Sequence, residues 1–384
     1  MAASNFSFQT YAKPQEFQAE KLTDKYKNCV AANHTFSERV LSWFDQNGRH
    51  DLPWQHPRSP YYVWLSEVML QQTQVATVKA YFSRFVARFP SLPELAAATL
   101  DEVLSLWAGL GYYSRARNLH ACAKLCVLNH AGTLPAEHTQ LHALPGIGRS
   151  TAAAILAQAF EQKAAILDGN VKRLLARVTA TPEWPGLPHV ERALWRAAES
   201  RLPAARFADY TQALMDLGAM VCTVRAPKCA FCPVANACQA HQLKLTESLP
   251  VKRPKKARPT RFASWLVARN LSDQILLVRR PELGIWGGLY CLPEAFEVAD
   301  FFSQSLPLQN LVLHAPMPQI KHVFTHFTLI ATPVRANADA TLGLAEPGFI
   351  WVDQLSMSQL GMPSPVRRLL AQMFPTQIET PVAE

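Results

Sequence analysis

LHALPGIGRSTAAAILAQAF, residues 141–160, decides the fold. An apolar segment ends at Leu144, Pro145-Gly146-Ile147-Gly148 makes a tight turn, and Ser150 and Thr151 open an Ala-rich helix. Glycines at a helix start leave backbone N–H groups uncovered, and aligned with the helix dipole these bind phosphate. A lone G-x-G is weak, because glycine also ends helices routinely. Set between two helices, however, the L-P-G-I-G turn is the hairpin of a helix-hairpin-helix element, which grips a phosphate without reading bases. Gly146, Gly148 and Ser150 are therefore candidate DNA contacts.

On either side of this turn, residues 36–245 read as helix after helix. Apolar residues recur at helical spacing in Phe36, Val40, Leu41 and Phe44, then Val63, Leu65, Val68 and Met69, then Leu100, Val103, Leu104 and Trp107. After residue 262 the texture changes. RFASWLVARN, DQILLVRR and HVFTHFTLIATPV are β-branched and apolar, and predict a separate α+β domain over 262–375. Between the two lies LPVKRPKKARPTR, where Lys252, Arg253, Lys255, Lys256, Arg258 and Arg261 supply six of the net charge of +9. Three prolines bar it from a helix interior, so 246–261 reads as an extended basic linker able to lie along phosphates, with a nuclear-import patch the weaker reading. Residues 1–35 stay unassigned.

With 384 residues, 49% of them hydrophobic and 17% charged, the chain can build two or three domains without disulfide staples. Collagen-like, coiled-coil and wholly disordered classes are excluded. Apolar runs such as Ile275–Val278 are far too short to span a bilayer. The first 27 residues are too rich in charge for a secretory signal, so a cytoplasmic protein is expected.

Of the eight cysteines, Cys29, Cys122, Cys126 and Cys291 are scattered, whereas Cys222, Cys229, Cys232 and Cys238 form C-x6-C-x2-C-x5-C. Four thiols so close in a chain of this kind predict a metal centre before disulfides. Structural zinc usually takes two short hooks and this pattern has one, so an iron–sulfur cluster fits better, with zinc left as the alternative.

Two acids stand out. Asp168, in AILDGNVKRLLARV, precedes a helix and is either its N-cap or something more. Glu67, in LSEVMLQQTQV, sits among apolar neighbours on a predicted helix; it is either structurally paired or raised in pKa for proton work.

PWQHPRSPYYVWLSEVMLQQTQVATV, LGYYSRARNLH, LPGIGRSTAAAI, ILDGNVKRLLARV and ALMDLGAMVCTVRAPKCAFCPVANAC, in that order, resemble the adenine DNA glycosylase (MutY) family of the endonuclease III superfamily. The match is dense over residues 36–240 and looser beyond. It implies a multidomain protein: an all-α helix-hairpin-helix core over 36–245, with a six-helix subdomain at about 60–164 and an iron–sulfur subdomain from 36–59 and 165–245. It further implies a monomer acting on double-stranded DNA that carries A:8-oxoguanine or A:G mispairs, associated with the nucleoid when bound. The implied reaction is hydrolysis of the N-glycosyl bond of an extruded adenine. Glu67 would deliver a proton, Asp168 would face the cationic sugar, Asn170 would brace the site and Gln212 would meet the adenine edge. Gln72 and Tyr112 would fill the gap beside the lesion, the bland alternatives being a solvated helix face and core packing. Cys222, Cys229, Cys232 and Cys238 would hold one [4Fe–4S] cluster, with Arg225 and Lys228 facing phosphate. Where strand-cutting relatives carry a Schiff-base lysine stands Ser150, which cannot form an imine, so a monofunctional enzyme is expected.

The C-terminal domain resembles the MutT (Nudix) fold. WGGLYCLPE begins like a Nudix box, with Gly288 six residues before Glu294, but Phe302-Ser303-Gln304-Ser305-Leu306-Pro307 holds no acid for a magnesium cage. The domain is thus expected to read the lesion and not to hydrolyse pyrophosphate, through a loop seen here as Phe324, Thr325 and His326; a plain strand is the alternative. Rival functions are a catalytically idle iron–sulfur DNA-binding protein, a nucleotide pyrophosphatase, and a pyrimidine-lesion glycosylase-lyase.

Overall fold

A computed structural model describes residues 33–253, 257–282, 284–304, 306–340, 348–358 and 360–374. The unassigned N-terminal stretch up to residue 32 with its Cys29, the linker residues Lys255 and Lys256, and Ser305 of the degenerate Nudix stretch lie outside the described residues.

Fourteen α-helical segments and eight strands follow in chain order among the described residues. The helices are α1 (Asn33–Asn47), α2 (Pro60–Leu70), α3 (Val75–Arg88), α4 (Leu92–Ala97), α5 (Leu100–Leu106), α6 (Ser114–Asn129), α7 (His138–Ala143) and α8 (Arg149–Phe160). Then come α9 (Gly169–Val178), α10 (Pro188–Glu199), α11 (Phe207–Asp216) and α12 (Gln239–Gln242). The strands are β1 (Thr260–Arg269), β2 (Ile275–Arg279), β3 (Tyr290–Cys291), β4 (Glu294–Ala295), β5 (Leu308–Pro316), β6 (Ile320–Val323), β7 (Thr328–Ala340) and β8 (Phe349–Val352), closed by α13 (Gln354–Ser358) and α14 (Ser364–Met373). No helix among the described residues is long and apolar enough to cross a membrane.

Contacts divide the chain into two compact units. One runs up to Gly48 and resumes over Gly169–Pro250; the other is Arg49–Asp168 with the chain from Val251 on. The sequence reading cut the helical part near residues 60 and 165, and the structure moves both cuts. Leu52 and Trp54 are buried in the same core as α2, so the stretch after Gly48 belongs with the second unit. Asp168 closes that unit.

In the first unit α1 packs on α11, and Arg177 is buried. Its guanidinium donates to the carbonyls of Leu249 and Thr223, tying the end of the unit and the cysteine loop to α9.

Helical ends in the second unit are set by local chemistry. Ser59 accepts from the Tyr62 amide ahead of Pro60 in α2, and Thr99 with Glu102 forms a reciprocal capping box on α5. Between residues 60 and 160 there are seven helical segments in place of the six expected, two of them, α4 and α7, only six residues long.

The sheet of this unit is mixed. Its path is β3-β2-β1-β7-β5, with β1 and β7 parallel from Thr260↔Thr328 to Arg269↔Asn337. After three exposed residues, β1 is buried continuously from Ala263 to Ala268 because both faces are covered there. Ala263, Trp265 and Val267 join Val366, Leu369 and Leu370 of α14, while Leu266 and Ala268 meet Phe301 and Ala336 on the other face.

Two readings of this region need correction. β1 begins at Thr260, two residues before the expected boundary, so Arg261 is a strand residue stacked 4.6 Å over the Phe327 ring and not linker. HVFTHFTLIATPV is also not one continuous strand: Phe324–Phe327 form the turn of a hairpin between β6 and β7, closed by the Phe324 amide donating to the Phe327 carbonyl at 2.9 Å. The plain-strand alternative for Phe324, Thr325 and His326 therefore falls.

Sheet and helices of this unit share apolar surface. Leu289, fully buried, sits in the helical core with Leu104 and Trp107, and Arg279 pairs with Asp101 at 2.9 Å. Leu289→Ala should therefore destabilise the protein by about 2–5 kcal/mol in urea titration, as a cavity in a packed core does.

Candidate functional site

Two carboxylates meet through the way the chain leaves α8. That helix ends at Glu161, held in the left-handed region at φ 50°, and Gln162 donates back to the Leu156 carbonyl at 3.0 Å. Residues 161–168 then run without regular structure toward the start of α9, burying Ile166 and Leu167. The Leu167 amide donates to Ser150 Oγ at 3.0 Å, pinning this segment to the first turn of α8 one residue before Asp168. The Ser150 hydroxyl, expected at a DNA-contacting position, is thus engaged inside the protein.

Glu67 comes from α2, which packs on α8. Gln158 of α8, itself buried, donates its amide to Glu67 Oε1 at 3.1 Å. Burial, followed by the negative charge of Asp168, pushes the Glu67 carboxyl up from 4.5 to about 7, and the Gln158 hydrogen bond opposes this. Asp168 is close enough for its charge to be felt, so the two acids share one environment. Such a pair, one acid keeping its proton near neutrality beside another, is an arrangement for acid and electrostatic work.

The helix-hairpin-helix element is formed by α7 and α8. Gly146 has φ 78°, and a Cβ there would come within 2.9 Å of Asn118 Cβ, so the turn requires glycine twice over. Gly146 and Gly148 are exposed at the head of α8, as phosphate binding needs.

Asn170 and Gln212 lie in the other unit. Asn170 Oδ1 accepts from Arg173 at 2.9 Å and its Cβ lies against Gly218; Gln212 is buried and donates to Asp216 at 2.7 Å.

Neither bland reading of Gln72 and Tyr112 holds. Gln72 lies beyond the end of α2 at φ 59°, off any helix face, and Tyr112 at φ 48° is 46% exposed, not core. Non-glycine residues in this region carry a strain that surroundings must impose. The imposing group is Arg115, which sequence reasoning missed. Buried, with no carboxylate on it among the hydrogen bonds and ion pairs of the described residues, it donates to the carbonyls of Val68 and Met69 at 2.9 and 2.7 Å. It also reaches Thr73 Oγ1, Leu110 and Gly111, and stands over the rings of Trp107 and Tyr112. One cation thereby fixes the Gln72 turn and the Tyr112 loop together. Burial lowers its pKa to about 10, so it stays charged at neutral pH.

Beside Tyr112 opens a cleft of about 470 Å³, lined by Arg117 of α6, Trp286, His322 and the turn Phe324, Thr325 and His326. Thr325 and His326 are exposed, and Phe324 stacks on Phe327 with centroids 4.6 Å apart. Glu294, the acid left from the Nudix-like box, accepts from Trp265 Nε1 at 3.2 Å and pairs with Arg280.

In the first unit Cys222, Cys229, Cys232 and Cys238 surround one small apolar cavity with Leu174, Val178 and Val234. A π turn, Leu217–Val221, delivers Cys222, and 3-10 turns at Cys229–Phe231 and Ala235–Ala237 deliver the rest. Arg177 donates to Cys222 Sγ at 3.2 Å, a cationic donor suited to a thiolate. Among the described residues, no three His, Cys, Asp or Glu converge closely enough to chelate a single ion. Four thiols around one cavity are a donor set that an iron–sulfur cluster or a zinc ion could use. Arg225 and Lys228 are exposed on the first loop, while Cys122, Cys126 and Cys291 are buried elsewhere.

Comparison with known proteins gives concordant matches. Residues 65–200 match the HhH-GPD superfamily of base excision DNA repair proteins, and residues 264–372 match the NUDIX domain. An adenine DNA glycosylase of Buchnera aphidicola subsp. Baizongia pistaciae is 34% identical over 88% of this chain and 96% of its own. The human adenine DNA glycosylase is 36% identical over 85% of this chain and 71% of its own. A solved thermostable thymine-DNA glycosylase, 27% identical, aligns with a TM-score of 0.51 over 58% of this chain and 99% of its own.

The raised pKa of Glu67 carries a stability consequence. In the folded protein this acid holds its proton more tightly than unfolded, so its contribution is intact below about pH 4.5 and is lost as pH rises through about 7. Glu67→Gln should thus gain about 1–2 kcal/mol more over the native protein at pH 8 than at pH 5 in urea titrations.

Proposed function

As the chain belongs to the adenine DNA glycosylase family and is a DNA N-glycosylase of base excision repair acting at adenine mispairs, we propose that it removes adenine opposite 8-oxoguanine, or guanine, with Glu67 and Asp168 as the reacting pair. The observation that supports this most is the Glu67 carboxyl, poised at about 7 beside Asp168. Breaking the C1′–N9 bond needs a proton on the leaving purine and negative charge near the cationic sugar. Glu67 gives its proton to N7 of the extruded adenine, and Asp168 faces the oxocarbenium-like sugar while water takes the place of the base. Ser150 holds the segment that presents Asp168, by the hydrogen bond to Leu167. The sequence match proposes Asn170 to brace this carboxylate and Gln212 to meet the adenine edge.

Opposite the target, Gln72 and Tyr112 fill the space beside the lesion, and Phe324, Thr325 and His326 read it from the cleft. Threonine keeps the hydroxyl such a contact requires. The backbone amides at Gly146 and Gly148 take a phosphate, and Arg225 and Lys228 take others. Cys222, Cys229, Cys232 and Cys238 hold one [4Fe–4S] cluster, whose service is to stiffen the exposed loop between the first two thiols. The protein works as a cytoplasmic monomer on DNA. A pyrophosphatase reading has no support in Glu294, which is tied to Trp265 and Arg280.

The test is a labelled duplex with adenine opposite 8-oxoguanine. Alkali-dependent scission at the adenine is expected, without borohydride trapping, and Asp168→Asn should lower the single-turnover rate by roughly 10²–10⁴-fold. Because the acid must be protonated, the rate should fall about tenfold per pH unit above about 7. Binding without scission would favour an idle scaffold, and trapping would favour a lyase. The cluster assignment predicts about four irons per chain in the purified protein, and Cys232→Ser should lose them together with the visible colour.

A further inference from the structure

From Ala152 to Phe160, helix α8 is apolar at every position but one. Ala152 through Ala157 are buried, and so is Gln158, whose amide would be costly there without a partner. Its partner is the acid assigned above to proton donation: Gln158 Nε2 donates to Glu67 Oε1 at 3.1 Å. An N–H can only donate, so the oxygen that it meets must accept. In a protonated carboxyl the carbonyl oxygen is the better acceptor, and this bond therefore favours Oε1 as the carbonyl and puts the acidic hydrogen on Oε2.

The groups on neighbouring elements do not share this task. The turn Pro53–Gln55, α3, α6 and α8 all pack on α2. The turn carries no charge, Lys79 and Arg88 of α3 pair with Asp51 and Glu102, and Arg115 and His120 of α6 bond main-chain carbonyls. Arg149 stands at the opposite end of α8, nine residues before Gln158. Burial raises the Glu67 carboxyl most, the negative charge of Asp168 adds to it, and the Gln158 hydrogen bond works against both. It does so because an amide donor bonds a carboxylate more strongly than a neutral acid.

We propose that Gln158 is a positioning residue for proton transfer, holding Glu67 Oε1 so that the proton leaves from Oε2, and meeting the charge that appears once it has gone. The role rests on Glu67 being the proton donor of the reacting pair. As the Oε2–H bond breaks, an N7–H bond forms on the adenine and the C1′–N9 electron pair passes to the purine. The carboxylate left behind is stabilised by the N–H already aimed at it, which eases the transfer without Gln158 touching the substrate.

The experiment records single-turnover rates on the A:8-oxoguanine duplex across the alkaline limb for the native protein, Gln158→Met and Glu67→Gln. In the native protein the rate should halve near pH 7. Methionine matches glutamine in length and brings no donor. Losing one hydrogen bond to a charged group should move that midpoint up by about one pH unit and lower the low-pH plateau by about 3–10-fold, so that the curves converge at high pH. Gln158→Leu should do the same, and replaces the methionine variant if that one folds poorly. A midpoint that stays in place, with or without a lower plateau, would make Gln158 a packing residue and overturn the proposal while leaving the reacting pair intact. If the native midpoint is absent, or survives in Glu67→Gln, the assignment of the acid itself fails, whatever Gln158 does.

Discussion

The chemistry proposed for this protein depends on keeping a protonated acid next to a second carboxyl group in a poorly hydrated place. Left to solvent, Glu67 and Asp168 would both ionise and repel, and neither would have a task the other could not perform. Burial decides otherwise, since removing water from Glu67 raises its pKa before the charge of Asp168 adds to the effect. The arrangement follows from connectivity. A left-handed residue at the end of α8 turns the chain, and one serine hydroxyl on that helix then fixes the approach of Asp168.

Much of this could be read in the amino-acid order. Glycines spaced around a proline, a run of alanines and four close cysteines are local patterns, and local patterns constrain local structure. Glu67 was conspicuous as a charge among apolar neighbours. What eluded sequence reasoning were Arg115 and Gln158, whose partners are distant along the chain. Arg115 sits next but one to another arginine and looks solvent-facing until the carbonyls it binds, 47 and 46 residues earlier, are placed beside it. Gln158 was the one amide in an Ala-rich helix, a signal available but unused. HVFTHFTLIATPV misled because β-propensity ran unbroken across residues 322–334, while the hydrogen bond between Phe324 and Phe327 decided where the strand folds back.

The sheet domain shows how a scaffold changes employment. Its remaining box acid now accepts a hydrogen bond from a tryptophan and pairs with an arginine, a structural duty incompatible with holding magnesium. The fold contributes a turn of aromatic and hydroxyl groups to the cleft and a leucine to the helical core. Its apolar side chain thus completes the interior of the helices beside it.

Arg115 has a mechanical corollary. Because a single guanidinium fastens both the turn after α2 and the loop before α6, those two pieces cannot drift separately. A displacement of the turn that carries the glutamine would drag the loop of the tyrosine with it. The turn that carries Gln72 and the loop that carries Tyr112 therefore behave as one rigid piece, set by a residue that is itself buried.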